Sequence, residues 1–159
     1  MTKQTSMKTK LFFLIPLLFL LQGCSWSEYF VITNETNADI IIEYEVSIPS
    51  TGFSIFSNQP KCYKLHSDRT VYSNEIRDIT DFNSEQHLVK VVLPSNNGLI
   101  IGGLSNDNYK SYDQYFINGR HFNLKNLKIQ HGETVIEITP ANFDRYFVKH
   151  KNLIACKIK

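Results

Sequence analysis

From Asp39 to Ile48 the chain alternates strictly: Ile40, Ile42, Tyr44, Val46 and Ile48 share one parity, and Ile41, Glu43, Glu45 and Ser47 share the other. Successive side chains of a strand point to opposite faces of a sheet, so this pattern predicts a strand with one face buried. Ahead of it, Tyr29 to Thr33 are aromatic or β-branched. The turn formers Asn34-Glu35-Thr36-Asn37-Ala38-Asp39 separate the two runs, which predicts an antiparallel hairpin.

Short runs of the same character follow at Cys62–His66, Thr70–Ser73, Leu88–Leu93, Leu99–Ile101, Gln114–Ile117, Phe122–Leu124, Leu127–Gln130, Thr134–Ile138 and Leu153–Ile158. Pro94-Ser95-Asn96-Asn97-Gly98, Gly102-Gly103, Asn118-Gly119 and His131-Gly132 punctuate them. Repeated short strands with Gly and Asn turns predict an all-β fold rather than βαβ units. An antiparallel β-sandwich with an immunoglobulin-like outline is the expected architecture, with a closed barrel as the alternative. Between Leu124 and Leu127 the alternation slips by one residue, which a β-bulge accommodates. One short helix is expected near the C-terminus. Thr139 would cap it, Pro140 suits its first position, and Ala141 to Tyr146 complete one or two turns with Phe143 and Phe147 facing inward. Residues 74–87 carry charges without a period and read as a long loop or a poorly formed helix.

The N-terminus has a different character. Residues 1–10 are polar and basic, residues 11–21 are apolar, and Leu21-Gln22-Gly23-Cys24 follows, the layout of an export signal. As a helix the apolar run reaches about 17 Å, little more than half of a hydrocarbon core of about 30 Å, and Pro16 interrupts it, so a removable leader is expected. At Leu21-Gln22-Gly23-Cys24 the chain resembles the lipobox of bacterial lipoproteins, a resemblance confined to residues 1–24. It implies cleavage after Gly23, diacylation of the Cys24 thiol and attachment to a lipid bilayer of the cell envelope by two or three chains, each buried CH₂ contributing about 0.8 kcal/mol. Ser25 stands where the family's sorting rule looks for an aspartate, which implies the outer membrane in a double-membrane bacterium. The expected organisation is a leader at 1–23, a tether at 24–28 spanning at most about 18 Å from Cys24 to Tyr29, and one sandwich domain at 29–159 held close to the bilayer. Trp26 either lies at headgroup level or packs on the domain. In a bacterial setting Asn34-Glu35-Thr36, which has the spelling of a glycosylation acceptor, reads as a turn.

Three of the 17 Lys and Arg residues precede the cleavage point and none of the 15 Asp and Glu residues does, leaving the mature chain with a net charge of about −1. Lacking a Lys/Arg cluster as well, it has no electrostatic footprint for nucleic acid. Cys62 and Cys156 are candidates for one disulfide in an oxidising envelope. Cys156 shares a parity with Ile154 and Ile158, whereas Cys62 alternates with Lys64 and His66, so the bond requires Cys62 in a loop after Pro60. The histidines His66, His87, His121, His131 and His150 lack ligand spacing and read as surface or turn residues. No metal or other cofactor is expected. Asn106-Asp107-Asn108 with Asp113 gathers oxygens but lacks the order of a calcium loop, and reads as a solvated turn. His66-Ser67-Asp68 has the letters of a catalytic triad, yet adjacent residues do not converge on one nucleophile, and Gly-x-Ser-x-Gly is absent. Tyr109, Tyr112, Tyr115 and Phe116 form the densest aromatic stretch. Tyr109 and Tyr112 are the contact-surface candidates, with packing of these rings along a loop as the alternative.

A lipid-anchored sandwich without a recognisable nucleophile, metal set or phosphate loop is expected to act as a non-catalytic binding or interaction module. Its partners would be the bilayer, through acylated Cys24, and an envelope protein, peptide or glycan. An inhibitor or immunity lipoprotein against a toxin or hydrolase is the alternative. A hydrolase using carboxylates from distant loops, such as Asp107, Asp113 or Glu133, is a third reading.

Overall fold

The computed structural model of the chain describes residues 25–47, 50–66, 71–79, 83–85 and 87–159. Residues 1–24, which include the expected leader and Cys24, and residues 48–49, 67–70, 80–82 and 86 lie outside the described residues. In chain order the strands are β1 (Ser27–Asn34), β2 (Ile40–Val46), β3 (Phe53–Ser54), β4 (Phe56–Lys64), β5 (Arg77–Asp78), β6 (Asn83–Glu85), β7 (Leu88–Leu93), β8 (Asn97–Ser105), β9 (Arg120–His121), β10 (Leu124–His131), β11 (Thr134–Ile138), β12 (Val148–His150) and β13 (Leu153–Ile158). One helix, α1 (Phe143–Tyr146), is entered through a 3-10 turn at Pro140–Asn142. Among the described residues no helix is long and apolar enough to cross a membrane.

One sheet has the order β12-β13-β1-β8-β4-β5 and the other β11-β10-β2-β7-β6, while β3 and β9 form a short ladder of their own. The inner faces of the two sheets meet in a single core that includes Phe30, Ile32, Ile42, Tyr44, Leu99 and Ile129. This is the all-β sandwich that the alternating runs predict. Strand β2 carries out its pattern residue by residue, with Ile40, Ile42, Tyr44 and Val46 buried and Glu43 and Glu45 on the other face. On that outer face Glu137, Lys128, Glu43 and Lys90 stand side by side across β11, β10, β2 and β7. Alternating charge there forms ion pairs, Lys128 to Glu137 at 3.2 Å and Lys90 to Glu43 at 3.7 Å. Exposed pairs of this kind contribute only about 0.2–1 kcal/mol each, so the row keeps this face soluble more than it stabilises it.

The expected hairpin between Tyr29–Thr33 and residues 39–48 does not form. Strand β1 lies in the other sheet, antiparallel to β8 and parallel to β13. Every residue from Phe30 to Asn34 is buried, and an unbroken run buried on both faces belongs inside a sheet with cover on each side. Residues 35–39 therefore carry the chain across the core from one sheet to the other. Parallel pairing needs a long connection, and β1 and β13, at opposite ends of the described chain, meet that requirement. The pairing makes the six-stranded sheet mixed.

Buried asparagines fasten the two crossings. The Asn34 amide donates to the carbonyls of Ala38 (2.8 Å) and Leu93 (2.9 Å), and its Oδ1 accepts from the Thr36 backbone (3.1 Å) and hydroxyl (2.7 Å). Asn123, at the start of β10, donates to the carbonyls of Ser47 and Phe56 and accepts from Phe56 N–H at 2.8 Å. Both amides are directional at each end, so neither tolerates replacement by an acceptor-only group. With Asn34 fully enclosed, the turn reading of Asn34-Glu35-Thr36 stands.

Other local signals vary in outcome. A register shift against β2 between Leu124 and Asn126 is the bulge expected there. The helix is where Thr139 and Pro140 place it, with a capping box between Thr139 and Asn142 and with Phe143 and Phe147 buried. Its turns lead into β12, so it joins β11 to the β12–β13 hairpin. Residues 114–117 form no strand, and Ser73–Glu75 is a 3-10 turn. Within 74–87 the described residues hold two short strands, β5 and β6.

Replacing Asn34 by Ala removes the amide donor to the Leu93 carbonyl and the acceptor of the Thr36 N–H, while the Ala38 carbonyl keeps the Thr36 hydroxyl, and is expected to cost about 2–4 kcal/mol. Asn34→Asp sets a carboxylate against the same carbonyls and is expected to be at least as damaging; urea unfolding of the two variants checks both.

Candidate functional site

The two outer faces of the sandwich differ in kind. Behind the charged row the five-stranded sheet meets water, whereas the outer face of the six-stranded sheet is apolar. Register places Ala155, Val31, Ile100 and Lys61 in one row and Lys157, Thr33, Gly98 and Tyr63 in the next. Val31, Tyr63, Ile100, Leu153 and Ala155 are all at least nine-tenths buried and form a second cluster, separate from the core. Cover comes from the segment between β4 and β5, whose Leu65, Val71 and Ile76 pack on this cluster. His66 and Glu75, at either end of that strap, are in hydrogen-bond contact at 2.5 Å, and the His66 ring meets Tyr72 edge-on at 5.0 Å.

Beside the strap runs a groove of about 330 Å³ lined by Thr33, Glu35, Tyr63, Leu65, His66, Asn96, His150, Leu153, Ala155 and Lys157. Its floor is apolar (Leu153, Ala155, Tyr63), and its edge carries an acid, a base and two imidazoles. Tyr63 lies across Gly98, where a Cβ would come within 2.3 Å of the ring. The Tyr63 hydroxyl is buried and has no hydrogen-bond partner among the described residues. Burial, with the Glu35 carboxylate adding to it, pushes this phenol up to about 12, so it is a neutral donor at physiological pH. An unpartnered buried hydroxyl costs about 1–3 kcal/mol. A concave, mostly apolar surface edged by a few polar groups is the form that small-ligand sites take, and this one is at the small end of their size range.

The candidates read from the sequence fall elsewhere. Cys24 lies outside the described residues, and the first strand begins at Ser27, leaving only Ser25 and Trp26 between them. Cys62 and Cys156 are both free thiols. They stand in one cross-strand row with Leu99 and Ile32 between them, three strand spacings or about 14 Å apart, well beyond the ~4.5 Å between Cβ atoms that a disulfide allows. Tyr109 is 6% exposed, packs edge-on against Phe30 at 5.1 Å and hydrogen-bonds Asp144. Tyr112 packs against Phe122 and Phe143 and donates to the Leu124 carbonyl at 2.8 Å. Desolvation raises the pKa of both phenols. Both rings follow the loop-packing alternative, and the outward side chains of that segment are Tyr115 and Ile117.

Asp107 accepts from Arg120 at 2.8 Å and Asn118 at 2.5 Å, and the Asn106 Oδ1 accepts from Trp26 N–H, so these oxygens hold the loop together. Glu133 sits in the β10–β11 turn, at the opposite end of the sandwich from Asp107 and Asp113. His66 and His150 meet at the groove, while His87, His121 and His131 lie away from it. The alternation of Cys62, Lys64 and His66 suggests a strand with one wet face and hides Tyr63, whereas the shared parity of Tyr63 and Leu65 signals that the second face is covered too.

Comparison with known proteins finds no matching family model, curated protein or solved structure.

Burial holds the Cys156 thiol at about 12, far too high for appreciable thiolate at pH 8. Native alkylation at that pH is expected to modify Cys62 and spare Cys156 until the protein is unfolded, and intact mass without reductant is expected to show two free thiols. Gly98→Ala is expected to cost about 1–3 kcal/mol by driving a Cβ into the Tyr63 ring, whereas Tyr63→Phe is expected to leave stability unchanged or raise it, since no partner is lost. Thermal melts distinguish the two.

Proposed function

We propose that the protein is a lipid-anchored envelope lipoprotein acting as a non-catalytic binding module, which takes a short peptide or glycan stretch into the groove beside the strap. The observation that carries this reading is the placement of the groove. Strand β1 leaves the anchor end at Ser27 and runs about 23 Å to Asn34, and the groove reaches Thr33, Glu35 and Asn96 at the far end of that strand. An anchor at Cys24 would hold the domain at the bilayer with that end facing away from it. The Tyr63 hydroxyl supplies a neutral donor for a carbonyl or sugar oxygen, Lys157 and Glu35 supply charge of each sign, and Leu153 and Ala155 supply the apolar floor.

Cys24→Ala is expected to abolish acylation and release the protein from membranes, as read by the mass of the mature N-terminus and by fractionation. For binding, chemical-shift mapping of the acylated protein in nanodiscs against short peptides and peptidoglycan fragments is expected to move Leu65, Leu153 and Ala155 together. Tyr63→Phe is expected to weaken that binding about tenfold, which corresponds to ~1.4 kcal/mol, without lowering stability. Shifts confined to other surfaces, or equal affinity in Tyr63→Phe, would count against the groove as the site.

A further inference from the structure

The end of the sandwich from which the chain leaves toward Cys24 is built unlike the other end. Trp26 is tied to the loop after β8 by two hydrogen bonds, its N–H to Asn106 Oδ1 at 3.2 Å and its carbonyl from Asn106 N–H at 2.9 Å. The same loop is held by Arg120, which donates to Ser105 O at 2.7 Å and Asp107 at 2.8 Å, and by Asn118 on Asp107. Phe53 joins through its N–H to Gly119 O at 3.1 Å and through the β3–β9 ladder. One hydrogen-bonded assembly therefore carries Trp26, Phe53, Tyr115 and Ile117.

These side chains are 40%, 69%, 87% and 95% exposed, and the last two are the most exposed large apolar residues among those described. Between them Phe116 is 4% exposed and packs on Phe122. That inward ring pins the loop, so its two neighbours point outward from a fixed base. Two ion pairs stand at this end, Arg120 with Asp107 and Lys149 with buried Glu28 at 2.5 Å, while Lys110 and Asp113 are exposed on the same loop. At the other end the turns expose Asn37, Asp39, Pro94, Asn96 and Glu133, and the exposed apolar side chains nearest to them, Val92 and Val135 at 56% and 53%, are smaller and stand on strands of the five-stranded sheet rather than on the turns.

We propose that Trp26, Phe53, Tyr115 and Ile117 form a bilayer-docking end, inserting at the headgroup and acyl boundary of the membrane that holds Cys24. The inference rests on the lipid-anchor reading. The length of chain outside the structure argues for this occupant over a protein partner: Cys24 is two residues from Trp26, a reach of no more than about 8 Å, and Trp26 itself is fixed to the domain. Acyl chains at Cys24 therefore keep this end in contact range of the interface, where aromatic and aliphatic tips are stable. Weak insertion suffices at such short range, because the tether makes the second contact intramolecular. Docking fixes the orientation of the sandwich and turns the Asn34 end toward solvent.

The test uses the full acylated protein in vesicles of phosphatidylethanolamine and phosphatidylglycerol with brominated acyl chains. Trp26, the only tryptophan, is changed to Phe, and one reporter is introduced by Ile117→Trp, or by Val92→Trp on the outer face of the five-stranded sheet as a control. The Ile117→Trp indole is expected to be quenched about threefold more than the Val92→Trp indole and to emit further to the blue, with little change between low and high salt because the contact is apolar. Acylated protein whose Ile117→Trp emission matches the control overturns docking while leaving the anchor in place. Quenching that disappears at high salt overturns the apolar contact in favour of an electrostatic one. An N-terminus without acyl mass overturns the anchor reading and docking with it.

Discussion

Strand β1 is enclosed on every side, and the rest of the molecule is arranged around that enclosure. Its inner residues Phe30 and Ile32 enter the core, its outer residue Val31 enters the strap-covered cluster, and β8 and β13 occupy its two edges. A strand without a free edge or a wet face leaves no backbone donor unpaired and presents no template for another chain. It also requires cover on the outer face, which an ordinary sandwich sheet does not need. Among the described residues Leu65, Val71 and Ile76 of the strap cover part of that face, and the groove lies beside them. The site is in this sense a by-product of burying β1 twice.

Joining the sheets takes polar chemistry. Apolar packing is non-directional and does not specify where the chain crosses from one layer to the other. Asn34 and Asn123 do specify it, since each engages three or four backbone or hydroxyl groups drawn from both sides of a crossing. The Tyr44 hydroxyl adds a third link, donating to Ser57 O at 2.7 Å from inside the core. Desolvation raises the pKa of this phenol, so it remains a donor. Buried polar groups that are fully satisfied confer a unique arrangement on a core that volume alone would leave degenerate.

Legibility followed locality. The strand at residues 40–46, the bulge after Leu124 and the capped turn at Thr139-Pro140 are each encoded within a few residues, by alternation, by a slip in it, or by a side chain reaching its own backbone. Pairing is not local. Residues 29–33 read plainly as a strand, yet nothing nearby states that the partner is Leu153–Ile158, at the far end of the chain, rather than the run just beyond Asn34. Asn34 itself looks like a turn former and is one, but its amide reaches Leu93 in the other sheet, a partner that spacing does not reveal. The aromatic stretch misled in a similar way. Exposure depends on which parity meets the core, and at residues 115–117 the single inward ring is Phe116, so the apolar neighbours face water.

That inversion bears on how the molecule is polarised. In β2 alternation serves burial, with Ile40, Ile42, Tyr44 and Val46 inward, and on the outer face Glu43 takes its place in a row of opposite charges next to Ile41. In the loop at 115–117 alternation is retained while its outward members are apolar, which stabilises nothing within an isolated chain. Exposed Tyr115 and Ile117 are therefore not explained by folding, and neither is the buried Tyr63 hydroxyl beside the groove, which has no partner among the described residues. Each adds a cost or an idle apolar surface to the free domain, and each would be relieved by contact with something outside it. The apolar tips suit a lipid interface and the hydroxyl suits a hydrogen-bond acceptor. The chain thus carries two different unmet demands, one at the end where it leaves toward Cys24 and one in a groove reaching the far end. An arrangement of that kind fits a domain that stands on one surface and addresses another.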